Sequence, residues 1–395
     1  MEHVSFDAVV DRKNTLARKW DARQEVFGCE DLLPMWIADM DFLSPPAVAA
    51  AIQKRAAHGM YGYASRPASY FETIVNWLSK RHHWAVETAW ICPTPAVVTA
   101  ISIAVQAFTR PGDRVMIQTP VYPPFFACVL NNSRTVAENP LRMANGRFCM
   151  DFDHMERQMA GGVAMFILCS PHNPVGRVWT KEELTRLAEL CCRYNVLIIT
   201  DEIHSDLAFP ECRHIPLASL NPEIARRTIT CISPSKSFNL AGFYTSSTII
   251  ADAGLRERFR QALEALEITG SNLFGIVASE AAYGDSGLWL DNLLVYLEEN
   301  ANYLHRFLTE RIPAIQMAKP EGTYLAWLDC RQLGLTGMEL KRFFTQQAKV
   351  GLNDGATFGK AGQGFMRLNY GCPRAVLTEG LERIDRAVRQ YKGGR

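Results

Sequence analysis

The chain of 395 residues is short of several things, and each shortage removes a class of function. It has no charge excess: 42 basic residues against 41 acidic ones leave a net +1, so no whole-molecule field gathers nucleic acid or an anionic membrane. No apolar run approaches the roughly 20 residues that span a bilayer. The opening stretch MEHVSFDAVVDRKNT lacks an apolar core and carries acids early, which argues against a signal peptide. The 11 cysteines are odd in number and include no CxxC pair. Lying mostly inside apolar runs (Cys169, Cys191, Cys192, Cys231, Cys330), they read as buried thiols of a reducing cytoplasm. The nine histidines show no HExxH or other metal-ligand spacing, so no metal is expected. There is no internal repeat, low-complexity tract or long polar linker.

What is present is a globular composition, 48% apolar, at a length that points to two lobes packed directly together. Pro45-Pro46 opens a helix to about Ala57, Ser69–Arg81 has helical spacing, and Pro95–Phe108 is an almost wholly apolar, hence buried, helix. Short Val/Ile-rich strands are expected at Arg114–Gln118, Val163–Leu168, Val196–Thr200, Thr228–Ile232 and Ser246–Ile250. Helical stretches such as Thr180–Arg193 separate them, the signature of a parallel sheet covered on both faces. Near Gly284 the pattern changes. A long helix carrying Trp289, Leu293, Leu297, Leu304 and Leu308 ends before Pro313. Strands follow at Thr323–Asp329 and Phe365–Tyr370, then a helix striped by Leu377, Leu381, Ile384, Val388 and Tyr391, which makes a smaller α+β lobe.

The chemistry centres on TITCISPSKSFN, Thr228 to Asn239. Its strand breaks at Ser233-Pro234-Ser235, directly before Lys236. A lysine at the carboxyl end of a strand in an open α/β sheet stands where ligands bind, and its amine can form a Schiff base with a carbonyl compound. The ordinary alternative is a solvated loop lysine. The strand VLIIT ends in Asp201-Glu202-Ile203-His204, and Asp201 precedes Lys236 by 35 residues, about one strand-helix-strand crossover. A carboxylate there either serves a salt bridge or holds a protonated ring nitrogen. One strand earlier, SPHNPVG places Asn173 at the same edge, with Asn173-Pro174 a candidate cis bond and a plain turn the alternative. In PMWIADMDF, Asp39 and Asp41 interrupt an apolar run. They mark an exposed edge or helix cap, or an arm reaching a polar site, and the pattern leaves these even.

A phosphorylated aromatic aldehyde would find every contact it needs along this edge. Thr94-Pro95-Ala96-Val97-Val98 opens the buried helix with free N–H groups and the positive dipole end. Tyr122 in TPVYPPF, otherwise a core aromatic, offers a flat ring. Ring nitrogen, phenolic oxygen, aldehyde and phosphate then fall to Asp201, Asn173, Lys236, and Ser233 with Ser235, the full set for pyridoxal 5'-phosphate (PLP).

The ordered motifs PMWIADMDF, HGMYGY, TPVYPPF, SPHNPVGRVW, DEIH, SPSKSFN and MRLNYGCPR resemble the fold type I PLP enzymes, specifically the cystathionine β-lyases and carbon-sulfur lyases of the MalY/PatB type. The resemblance implies an α/β fold, in which residues 48–285 form a large PLP-binding domain on a mainly parallel seven-stranded sheet covered by helices. Residues 1–47 and 286–395 would form an N-terminal arm and a small α+β domain. It implies that Lys236 is the Schiff-base lysine, that Asp201 pairs with the pyridinium, that Asn173 meets the phenolic oxygen and that Tyr122 stacks on the ring. Arg367 would clamp the substrate α-carboxylate, with an inter-lobe salt bridge as its ordinary alternative. Tyr63 would reach the partner subunit's phosphate site, implying a homodimer. His204 would border the cofactor, and Asn173, Trp36 and Tyr122 the substrate.

Two departures favour the lyase branch over aminotransferases: Tyr244, not arginine, stands eight positions after Lys236, and His204 replaces a common tyrosine. Ala96 stands where the phosphate loop usually has glycine, which is tolerable if φ stays negative. The implied reaction is elimination across Cα and Cβ of an L-cysteine thioether, giving thiol, pyruvate and ammonia. The nearest rival is an aminotransferase. Ser233-Pro234-Ser235-Lys236 also matches the SxxK of penicillin-binding proteins, but the chain has no KTG. A regulatory binding protein on the same fold is the third reading.

Overall fold

The computed structural model describes residues 5–393. Seven strands, β1 (Ile91–Thr94), β2 (Arg114–Ile117), β3 (Thr135–Glu138), β4 (Met165–Cys169), β5 (Leu197–Asp201), β6 (Thr228–Ile232) and β7 (Ser246–Ile250), form one sheet in the order β1-β7-β6-β5-β4-β2-β3. Only β7 runs against its neighbours, and the other pairings are parallel. Alternate residues feed two apolar layers. Ile117, Ile167, Ile199 and Ile229 join helices Val97–Phe108 and Ala253–Ala265 on one face. Met116, Phe166, Leu168 and Ile198 join helices Phe152–Ala160 and Lys181–Arg193 on the other. The latter helix starts cleanly because Thr180 and Glu183 form a reciprocal capping box.

The five expected strands are all present, two with their expected ends and three displaced by a residue or two. The two unforeseen strands lie at the sheet's edges. β1 carries Pro93 and β3 is polar and half-exposed, so neither shows the apolar run of a central strand. Beyond the helix Leu273–Asp285 come the long helix Gly287–Arg311 and a four-stranded antiparallel sheet containing Leu325–Asp329 and Phe365–Asn369. The helix Arg374–Gly393 closes the chain's described part. One apolar cluster runs from Met35, Met40 and Phe42 through Trp77, Phe238 and Trp289 to Leu377, so packing is continuous across residue 285. No helix among the described residues is long and apolar enough to cross a membrane.

The segment PMWIADMDF is neither an exposed edge nor a helix cap. Asp41 accepts from Lys19 at 2.6 Å, Arg12 at 2.6 Å and Trp20 at 3.0 Å, and Asp39 accepts from Arg12 at 2.9 Å. Lys19 is 1% exposed and Asp41 6%, so these charges are sealed against each other inside an apolar surround. Asp41 thus fastens the arm, while Asp39, held by Arg12, also acts on the Lys236 ammonium. Removing one member of such a pair strands its partner. Lys19→Met should therefore lower unfolding stability by about 3 kcal/mol, read as a fall in denaturation midpoint; an unchanged midpoint would contradict a buried pair.

Candidate active site

The carboxyl ends of the parallel strands meet at one edge, and a cavity of about 400 Å³ opens there. Its wall includes Ala96, Val97, Val98, Tyr122, Asn173, Asp201, His204, Ser233, Ser235 and Lys236. Strand register explains the assembly. Asp201 is the last residue of β5 and sits level with Cys169 of β4 and Cys231 of β6. The next turns carry Asn173 after β4 and Lys236 after β6, and Tyr122 follows β2. Ser170-Pro171 and Asn173-Pro174 are both cis.

Asp201 is the most unusual group in this cavity. It is 4% exposed, one oxygen accepts the Ile203 N–H at 3.1 Å, and among the described residues it has no cation within ion-pair distance. Burial among apolar strand residues pushes its carboxyl up to about 7, against the pull of the Ile203 N–H and the Lys236 charge. The salt-bridge reading of Asp201 therefore finds no cation among the described residues. Lys236 shows the mirror effect. Burial lowers its ammonium to about 8, with Asp39 and Asp201 opposing and Arg367 assisting. Its Nζ donates to the Ala38 carbonyl at 2.7 Å.

Arg367 is buried, and its guanidinium donates to Asn173 Oδ1 at 3.1 Å, the Trp36 carbonyl at 2.9 Å and Asn353 Oδ1 at 2.7 Å. All three are neutral acceptors, its Nε has none, and among the described residues no carboxylate pairs with it. Burial lowers it to about 10, still charged. The inter-lobe salt bridge is thus absent there, and the guanidinium is left for an anion from outside. With its Oδ1 occupied by Arg367, Asn173 keeps its NH2 without a protein acceptor among the described residues. His204 is buried with Nδ1 unpartnered, and burial lowers it to about 3, so it is a neutral imidazole.

The anion cradle is the start of helix Val97–Phe108. Ala96 caps it with extended backbone (φ −156°) and no side-chain hydrogen bond, which leaves the first-turn N–H groups open toward the cavity. Ser233 spends its hydroxyl proton on the Thr245 carbonyl at 2.7 Å and accepts the Ser235 N–H at 3.1 Å. It shapes the lysine turn, while the Ser235 hydroxyl has no protein partner among the described residues.

Three expected residues lie off the cavity wall, and of these Arg367 is joined to it through Asn173. Trp36 is off the cavity wall: its ring packs edge-on against Phe27 at 5.2 Å and its Nε1 donates to the Lys19 carbonyl, so only its backbone carbonyl serves Arg367. Tyr63 is fully exposed and lines a second cavity of about 830 Å³. Tyr244, Thr245 and Pro95 border both cavities, which joins the phosphate-side rim to that outer face. Residues that the sequence reading missed include Ala38, Thr99 and Thr245 on the wall, and Tyr324, whose hydroxyl shares the Ala38 carbonyl at 2.9 Å. Asn353 was traceable in principle, as the register partner of Arg367, but only once the strands were paired.

A carboxyl lacking a cation, a guanidinium lacking an anion, an amine at the end of a strand and an open helix start together fit PLP joined to an amino acid, on the open α/β scaffold of fold type I. The chain belongs to the family of class I and II aminotransferases, whose pattern matches residues 30–384. It is 43% identical to cystathionine beta-lyase PatB of Bacillus subtilis, over 98% of this chain and 100% of that one. Among solved structures it is similar to PLP-containing cystalysin from Treponema denticola (34% identity, TM-score 0.94, covering 98% of this chain and 99% of that one). It also resembles the PLP-bound C-S lyase from Staphylococcus hominis in complex with L-cycloserine (32% identity, TM-score 0.92, 98% of each chain).

The buried Asp201 carboxyl makes a prediction about stability. A group whose folded pKa is raised from 3.8 to about 7 contributes fully to stability below 3.8 and loses that contribution as pH rises through 7. The loss is on the order of 4 kcal/mol at pH 8. In cofactor-free protein, Asp201→Asn should raise the thermal midpoint at pH 8 and leave it unchanged near pH 4. Equal midpoints at pH 8 would mean that the carboxylate is already compensated.

Proposed function

We propose that the protein catalyses PLP-dependent α,β-elimination of L-cysteine thioethers, releasing a thiol, pyruvate and ammonia; with cystathionine the thiol is homocysteine. The observation that carries this reading is one cavity in which Asp201 and Lys236 lack the partner that PLP would provide, with Arg367, bonded to the wall residue Asn173, lacking the carboxylate that an amino acid would provide. When bound, PLP supplies an electron sink for the pair left at Cα after proton removal.

The chain's own residues do the rest. Arg367 binds the substrate α-carboxylate and is aimed by Asn173, Asn353 and the Trp36 carbonyl. Lys236 holds the cofactor and, once its amine is free, takes the Cα proton; burial makes the neutral amine available near neutrality. Asp201 holds the ring-nitrogen proton, and in turn the ring cation relieves its unpaired burial. Asn173 donates its free NH2 toward the phenolic oxygen. Tyr122, half-buried beside the cavity with a phenol raised by burial and by Asp201, presents its ring face as an uncharged wall. The open N–H groups at Ala96, Val97 and Val98, with the Ser235 hydroxyl, hold the phosphate.

In this reading the protein is a homodimer. The exposed Tyr63 and Tyr244 line the outer cavity that joins the phosphate rim, which supports Tyr63 reaching the partner's site. Residues 48–285 form the PLP-binding domain, and 1–47 with 286–395 form the arm and small domain. Eleven unpaired cysteines support a reducing cytoplasm.

Transamination shares the roles given to Lys236, Asp201, Asn173 and Arg367, and the family's name covers it. Tyr244 in place of arginine favours the lyase, and pyruvate formed without any keto-acid acceptor decides between them. The purified protein, scanned for bound PLP, should give pyruvate with at least one of cystathionine, cystine, djenkolate and S-alkyl cysteines. Lys236→Ala should abolish both the lysine-bound cofactor absorbance and thiol release; substantial turnover in that variant would sink the assignment. Arg367→Ala should raise KM roughly 100-fold through loss of a bidentate carboxylate contact, with the cofactor absorbance retained.

A further inference from the structure

Behind the cavity lies a second set of buried polar groups that the chemistry above does not use. Lys236 faces the cavity, whereas its neighbour Ser237 is wholly buried and donates to Asp206 Oδ2 at 2.8 Å. The other oxygen of Asp206 accepts Trp77 Nε1 at 2.9 Å and lies 2.7 Å from His82 Nε2. Asp206 is 5% exposed and no lysine or arginine pairs with it among the described residues. Burial raises its carboxyl, but the His82, Ser237 and Trp77 hydrogen bonds outweigh that and hold it below the ordinary range. Trp77 also packs edge-on against Phe238, two residues after the lysine, at 5.6 Å. The helix Ala68–His82 therefore grips the lysine turn twice, once through Asp206 and once through Phe238.

A buried carboxylate is costly, and an apolar side chain would fill the space more cheaply. What the carboxylate adds is direction, since three donors converging on two oxygens fix its rotamer and thereby the place of Ser237. We propose that Asp206 is a positioning residue for Lys236, acting through Ser237 to fix the lysine-bearing turn (Pro234–Ser237) so that the amine enters the cavity at the Ala38 carbonyl. The inference deepens the proposed reaction and rests on Lys236 being its reactive amine.

The test reads the lysine itself before any turnover. In cofactor-free protein, the pH dependence of Lys236 acylation by an amine-selective reagent, followed on the peptide that carries it, gives the amine's apparent pKa. Asp39, Asp201 and Arg367 are the charged groups facing that amine and are unchanged in every variant. Ser237→Ala and Asp206→Asn should each raise that pKa measurably toward the ordinary lysine value, because a loosened turn lets the amine reach water. The double variant should shift it no further than either single one, as expected when one residue acts through the other. In the PLP-loaded enzyme the same variants should lower kcat about tenfold with KM within twofold of wild type. Ser237→Ala leaves the Asp206, His82 and Trp77 contacts in place and so guards against a variant that merely fails to fold. Unchanged acylation pKa in both single variants, or additive shifts in the double, would overturn the proposal. Absence of pyruvate from wild type would instead overturn the reaction, while the acylation result would still decide the positioning role.

Discussion

An uncompensated carboxylate at the end of a buried strand is the constraint on which this active site depends. Asp201 is locked level with Cys169 and Cys231 by the sheet's own hydrogen bonding, so it cannot withdraw to solvent. Protein charge does not neutralise it either. The folded chain by itself pushes the carboxyl up to about 7, and in the proposed reading a bound cation meets it. Arg367 poses the opposite demand with the same logic, as a charge surrounded by neutral acceptors. The fold's stability and the site's appetite for ligand are therefore two aspects of one arrangement.

The N-terminal arm converts these separate demands into one geometry. Its carbonyls at Trp36 and Ala38 receive Arg367 and Lys236 respectively, which ties the small sheet's arginine to the large sheet's lysine. Two asparagines hold the arm from either side. Asn369, two residues after Arg367, donates to the carbonyls of Ile37 and Asp39, both at 2.6 Å. Asn239, three residues after Lys236, donates to those of Met40 and Phe42, both at 2.9 Å. Asn369 shares a strand with Arg367, and Asn239 lies in the turn just after the short helix that carries Lys236. The arm's acids, sealed against Lys19 and Arg12, supply the rigidity that makes its carbonyls usable as fixed acceptors.

The sequence made the edge of the sheet legible because the residues there follow short, largely apolar runs, and because proline-containing turns break the strands before Tyr122, Asn173 and Lys236. Lys236, Asp201, Asn173 and Tyr122 were all placed by that rule. Central strands were readable, edge strands were not: β1 carries a proline and β3 polar residues, so neither presents an apolar run. The direction of the Trp36 ring was not legible, because an aromatic in an apolar motif says nothing about which way its ring turns, and Lys19 and Phe27, distant in pattern, decide it. Asn353 and Ala38 were invisible for another reason. Their contributions depend on strand register and on a backbone carbonyl, neither of which leaves a residue-type signal.

The phosphate end follows the same principle with neutral groups. Helix Val97–Phe108 is packed so tightly through Ala100, Ile101 and Ala104 that its start cannot fray, yet Ala96 gives it no capping side chain. Open N–H groups held by a rigid core are costly without an acceptor, as Asp201 is without a cation. Position 244 completes the contrast: a tyrosine with φ +44° stands at the rim where an arginine would bring a full charge. In the proposed reading an anion here is held by backbone dipoles and a hydroxyl, with charge reserved for the ring nitrogen, at Asp201, and the substrate carboxylate, at Arg367. Such a division favours an enzyme that must keep its cofactor oriented through a change of covalent partner, because the neutral cradle is fixed by packing and does not reorganise as charge moves elsewhere.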